Sequence, residues 1–103
     1  MDNLCYSLLI TEHMTLNGKI ALVTGSAKRV GKAIVNALAA RGCQLVVHYH
    51  TSQDEAEETI RELRTAGVEA IALQADITQE TEVDHMIEAA VARFGRIDIL
   101  VNN

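Results

Sequence analysis

Residues 24–33, TGSAKRVGKA, set two glycines six positions apart, Gly25 and Gly31, with Lys28 and Arg29 between them. Glycines in a turn let the backbone come close to a ligand. A helix that starts in such a turn points its unpaired N–H groups and the positive end of its dipole outward, and the basic pair adds full charges. These are the parts of a phosphate cradle, and two kinds compete. An ATP-binding P-loop needs Gly, four residues, then Gly-Lys followed by Ser or Thr. Here five residues separate Gly25 from Gly31-Lys32, and Ala33 has no hydroxyl for magnesium. A dinucleotide turn needs a strand before it and a helix after it, within a βαβ unit, but the G-x-G-x-x-G spacing is absent. The flanking elements therefore weigh on the choice.

Residues 19–24 (KIALVT) form an apolar run ended by glycine, which fits a buried strand. Val30, Ala33, Ile34, Ala37 and Leu38 recur at helical spacing, and Gly42 stops that helix. Gln44–Tyr49 is a second strand. Ser52, with Glu55 three residues on, forms a capping box for a second helix that carries Ile60 and Leu63 inward and ends at Gly67. Residues 69–74 form a third strand. Thr78 is placed to cap a third helix, with Glu80 and Glu82 in its first turn, a stripe of Val83, Met86, Ile87, Ala90, Val91 and Phe94, and a stop at Gly95. Residues 97–101 form a fourth strand. This alternation predicts an α/β fold, a doubly wound parallel sheet of which a βαβαβαβ portion is present. The fourth strand is as apolar as a sheet centre, so the chain is expected to be the truncated front of a larger Rossmann-like domain.

The chain has 103 residues, room for one small domain. Residues 1–13 read as a poorly ordered leader with Met14 as an alternative start, and residues 14–103 as a partial dinucleotide-binding domain. A hydrophobic share of 49% against 22% charged fits a folded, water-soluble chain. The net charge of -5 disfavours nucleic acid, and no apolar run is long enough for a signal core or a membrane span. The cytoplasm is the expected location. The charge is split: residues 1–51 carry five Lys/Arg against two Asp/Glu, and residues 52–103 four against twelve. Cys5 and Cys43 lack metal-ligand spacing and read as idle thiols, and no His/Cys/Asp cluster has the spacing of a metal site.

VTGSAKRVG resembles the T-G-x-x-x-G-x-G turn of the short-chain dehydrogenase/reductase family, with Arg29 at the middle glycine position. ADIT, residues 75–78, is similar to that family's aspartate after the third strand, which contacts adenine. ILVNN, residues 99–103, resembles the start of its N-N-A-G motif. Arg29 together with HYHTS, residues 48–52, resembles the pteridine reductase branch, which has an arginine where Thr51 stands. The resemblance covers residues 15–103. It assigns the cofactor to Gly25, Lys28, Arg29, Val30 and Gly31 in the turn, His50, Thr51 and Ser52 after the second strand, Asp76 and Ile77 after the third, and Asn102 after the fourth.

Charge selects the cofactor. An NAD site ends its second strand on an acid that binds the ribose 2′-hydroxyl and repels a 2′-phosphate. Here the strand runs into His50, Thr51 and Ser52, and the first acid is Asp54. With Lys28 and Arg29 nearby, the expected cofactor is NADP(H). Several of these residues also have purely structural readings. His48 reads as a sheet-facing polar group, Ser52 as a helix cap, Asp76 as a cap shared with Thr78, and Asn102 as a tie between strands. His13 and His85 are assigned nothing.

The resemblance implies hydride transfer to or from a carbonyl, with a tyrosine moving the proton, a lysine four residues later, and a serine upstream. Neither Tyr6 nor Tyr49 has Lys four residues on, so no catalytic residue is assigned and the chain alone is expected to be inactive. The leading expectation is the cofactor-binding part of an NADP(H)-dependent oxidoreductase, of the pteridine or the 3-oxoacyl type. Its carbonyl substrate and any homo-oligomer would belong to the complete enzyme. A non-catalytic dinucleotide-binding module and a non-functional truncated product are the alternatives.

Overall fold

A computed structural model describes residues 16–103, so the expected leader, Tyr6, Cys5, His13 and Met14 lie outside the described residues. Ile20–Val23 forms β1, all four residues buried. The order continues α1 (Arg29–Ala40), β2 (Gln44–Tyr49), α2 (Gln53–Thr65), β3 (Ala70–Gln74), α3 (Glu80–Phe94) and β4 (Ile99–Val101). The strands make one parallel sheet in the order β3-β2-β1-β4. The chain winds outward from β1 to β3, then crosses back to place β4 on the other side of β1. The order reverses between β1 and β4, at the carboxyl ends of the strands, where sheets of this kind bind ligands.

The two-residue period of the strands divides the core between two faces. Ala21, Val23, Leu45 and Val47 face Val35 of α1 and Ala56, Ile60 and Leu63 of α2. Leu22 and Val46 face Met86 and Ala90 of α3. β1 and β2 are apolar on both sides because both sides are covered. At the amino-terminal edge Asp98 fastens β4 to β1. Its Oδ2 accepts from the Ile20 N–H at 2.9 Å, and its own N–H donates to the Ile20 carbonyl at 2.9 Å. Arg96 Nε donates to both Asp98 oxygens, and its Nη2 reaches the Gly18 carbonyl. The bond from Ile20 and then those from Arg96 hold the Asp98 carboxyl below the usual carboxylate range. Cys43 is buried, and that burial, with Asp98 nearby, pushes its thiol above the ordinary value.

Several local expectations need correction. β1, β3 and β4 are shorter than their apolar runs, because Lys19, Thr24, Glu69, Ile97 and Asp98 lie beyond the ladders. The buried face of α1 is Gly31 and Val35, with Ile34, Leu38 and Ala39 beside them; Val30, Ala33 and Ala37 are exposed. Ser52 stands at the N-cap of α2, but its side chain makes no capping bond. Gln79 occupies the N-cap of α3, while Thr78 turns back to Asp76. Val91 is exposed on α3. Gly95 ends that helix in the left-handed region at φ 88°, its N–H bonded to the Val91 carbonyl. β4 is an edge strand: Leu100 is 63% exposed, while Ile99 and Val101 pack on the α1–α2 side.

Candidate functional site

The turn after β1 is fastened from four sides. Thr24 Oγ1 accepts from the Asn103 N–H at 2.9 Å and lies 3.4 Å from Asn102 Oδ1. The Gly25 N–H donates to His48 Nδ1 at 2.9 Å, and its carbonyl accepts from Asn103 Nδ2 at 3.2 Å. The Ser26 N–H goes to the His48 carbonyl, and its buried hydroxyl donates to the Val23 carbonyl at 2.7 Å. Thr59, buried on α2, donates to the Ala27 carbonyl at 2.8 Å. The N–H groups of Gly25 and Ser26 are thus engaged inside the protein. The further backbone donors of this turn belong to the start of α1, where a helix beginning at Arg29 leaves its first-turn N–H groups without intrahelical acceptors.

Lys28, Arg29 and Val30 are exposed at that helix start, and Gly31 is buried beneath them. Arg29 has φ 59°, the one non-glycine residue with positive φ among the described residues. A side chain in that region costs about 1–2 kcal/mol, so the turn carries strain where its charge is displayed. α1 has no acid in its first turn, and nothing there offsets the dipole or the basic pair.

The other predicted residues form a second group along the same edge. His50 and Thr51 are exposed after β2, with Ser52 half-buried at the start of α2. His50 Nε2 lies 3.9 Å from Asp76 Oδ2. Asp76 Oδ1 accepts from the Thr78 N–H at 3.0 Å and the Thr78 hydroxyl at 2.6 Å. These bonds, the hydroxyl first, hold the Asp76 carboxyl below its usual range. The Asp76 N–H is taken by Glu82, and Ile77 is exposed beside it. The first acid after β2 is Asp54, on α2. Asn102 lies against the turn, so all eleven predicted residues fall on one edge in two clusters.

Sequence reasoning missed three contributors: His48, which joins the clusters, Asn103, and Thr59. A lone polar residue near the end of an otherwise apolar strand was the available signal for His48. An open groove of ≈ 640 Å³ lies elsewhere, lined by Glu57, Ile60, Arg61, Arg64, Thr65 and Ala72. It gathers the solvated charges of Glu57, Arg61 and Arg64 on α2, whereas the strand edge brings a helix start and a basic pair together, so the strand edge is the better site. Among the described residues, no group of three or more His/Cys/Asp/Glu is arranged to hold a metal ion, and no helix is long and apolar enough to cross a membrane.

The short chain dehydrogenase family profile matches residues 19–103. The short-chain dehydrogenase/reductase homolog YusS of Bacillus subtilis is 48% identical over 90 residues, which cover 87% of this chain and 83% of YusS. An uncharacterized oxidoreductase of Methylorubrum extorquens is 47% identical over 88 residues, 85% of this chain and 36% of that protein. Among solved structures, a short chain dehydrogenase from Burkholderia cenocepacia in complex with NADP superposes with a TM-score of 0.82 at 39% identity, over 85% of this chain and 36% of that one. The chain therefore spans about a third of the length of the latter two. A match running from β1 to the final asparagines, together with a relative of similar length, assigns the protein: it belongs to the short chain dehydrogenase family.

Proposed function

We propose that the chain is the cofactor-binding part of an NADP(H)-dependent oxidoreductase acting on a carbonyl substrate. The observation that carries this reading is the pairing of a helix start, whose first-turn N–H groups lack intrahelical acceptors, with exposed Lys28 and Arg29, while no acid stands between the end of β2 and α2. The first-turn N–H groups of Arg29, Val30 and Gly31 bind the pyrophosphate. Lys28 and Arg29, with the hydroxyls of Thr51 and Ser52, hold the ribose 2′-phosphate. Asp76, with Ile77 and His50 beside it, borders the adenine, and Asn102 fixes the turn from the β4 side. A Cβ on Gly31 would sit 2.2 Å from the Gly25 carbonyl oxygen, so the close fit of helix to turn needs glycine there, as a pyrophosphate-binding turn requires.

When bound, the nicotinamide supplies the hydride chemistry. The proton-transfer residues of the family resemblance, tyrosine and lysine four apart, have no counterpart among these 103 residues, and no residue here is assigned that step. A second reading, a dinucleotide-binding module without turnover, is supported by the comparable length of YusS. Titration of the protein with NADPH and with NADH tests the binding. NADPH is expected to bind at least tenfold more tightly, and equal affinity would overturn the 2′-phosphate assignment. Reading the coding sequence past Asn103 for Tyr-x-x-x-Lys separates enzyme from module.

A further inference from the structure

His48 is buried at 3% exposure on the α3 side of β2, and it touches two loops at once. Nδ1 lies 2.9 Å from the Gly25 nitrogen, and Nε2 lies 2.8 Å from the Ala75 carbonyl oxygen. The first partner can only donate and the second can only accept. The ring is therefore the neutral tautomer with its proton on Nε2. Its own carbonyl also takes the Ser26 N–H at 3.0 Å.

Gly25 opens the turn that leads to Arg29, and Ala75 precedes Asp76, so one rigid ring spans the two clusters. We propose that His48 is a positioning residue. It fixes the distance between the pyrophosphate turn and the Ala75–Asp76 loop, so that both meet the two ends of one dinucleotide. This rests on the reading that the edge binds a dinucleotide, but the bridge itself is independent of that reading. An aliphatic residue would leave a buried N–H and a buried carbonyl unpaired, and the two loops would lose their common reference.

Three substitutions separate the two bonds. His48→Asn places an oxygen where Nδ1 stands and keeps the bond from Gly25. His48→Gln places an amide N–H where Nε2 stands and keeps the bond to Ala75. His48→Leu keeps neither. With unfolding midpoints measured in parallel, His48→Leu is expected to weaken NADPH binding about tenfold or more, and Asn and Gln to recover part of that loss. Imidazole 15N NMR of the unaltered protein is expected to show His48 protonated on Nε2 alone. A folded His48→Leu that binds NADPH like the unaltered protein, or a ring protonated on Nδ1, overturns the proposal. Should the unaltered protein bind no NADPH while the 15N pattern holds, the dinucleotide reading fails with the positioning role built on it, and the bridge stands as structure only. Normal binding with the wrong 15N pattern removes the bridge and leaves the function intact.

Discussion

Gly31 lies directly beneath Gly25: a Cβ on Gly31 would come within 2.2 Å of the Gly25 carbonyl oxygen, 2.7 Å of Ser26 Cα and 2.8 Å of Asn103 Nδ2. Two of these neighbours are backbone, so no side-chain rotation makes room. Gly31→Ala is expected to destabilise the protein by about 1–3 kcal/mol and to displace the turn from α1. Urea unfolding reads the first effect and NADPH titration the second. Wild-type stability and affinity in the alanine variant would show that the helix start can move away from the turn.

Arg29 combines an unfavourable φ with an exposed charge, and Arg29→Gly separates the two. Glycine removes the strain but gives the unfolded chain more freedom, so stability is expected to change by no more than about 1 kcal/mol. NADPH affinity is expected to fall about tenfold, the scale of one charge-assisted contact, with NADH binding little altered. A parallel loss for both nucleotides would show that Arg29 shapes the turn and does not read the 2′-phosphate.

Asp98 gives the fold an acid limit. Its carboxyl titrates below the ordinary range because the Ile20 N–H and Arg96 bond to its charged form. A depressed folded value means that its contribution is complete above the unfolded value, near pH 4, and is lost as the pH falls through the folded one. Asp76 has the same sign. Urea midpoints measured from about pH 7 down to about pH 3 are expected to decline, and Asp98→Asn to flatten that decline while lowering the midpoint at neutral pH. An Asp98→Asn profile parallel to the wild type would remove Asp98 as the cause.

The two sides of β4 should exchange hydrogen differently. Asp98 N–H bonds to the Ile20 carbonyl, and Thr24 N–H to the Val101 carbonyl. A strand residue's N–H and carbonyl point the same way, so with the Val101 carbonyl turned to Thr24 the amides of Val101 and Ile99 point to β1, and that of Leu100 points to the free edge. Protection is expected at Asp98, Ile99 and Val101 and fast exchange at Leu100. Fast exchange at all four would mean that β4 is not docked, as in a non-functional truncated product. Protection at all four would mean that something covers the edge.

Much of this was legible in the sequence, for identifiable reasons. β2 ended where its apolar run ended because Gln44 and Tyr49 border a strand covered on both sides. Gly42, Gly67 and Gly95 marked the ends of the three helices. The α1 stripe was misread because glycine counts as neither apolar nor polar in a periodicity, and Gly31 is the residue that faces inward. Thr78 was misplaced because the helix starts one residue later, with Gln79 at the N-cap, and the Thr78 hydroxyl turns back to donate to Asp76 Oδ1. The bridge through His48 joins residues 23 and 27 positions away, and no local pattern encodes such a contact.

The inner anchoring of the turn bears on how fast it can work. Gly25, Ser26 and Ala27 are tied by bonds to His48, Val23 and Thr59, all within the protein. A turn tied from within in this way is expected to reorganise little when a nucleotide arrives at α1. Capture would then be timed by diffusion and by the attraction of Lys28 and Arg29, so its rate should drop with added salt and show no slow phase.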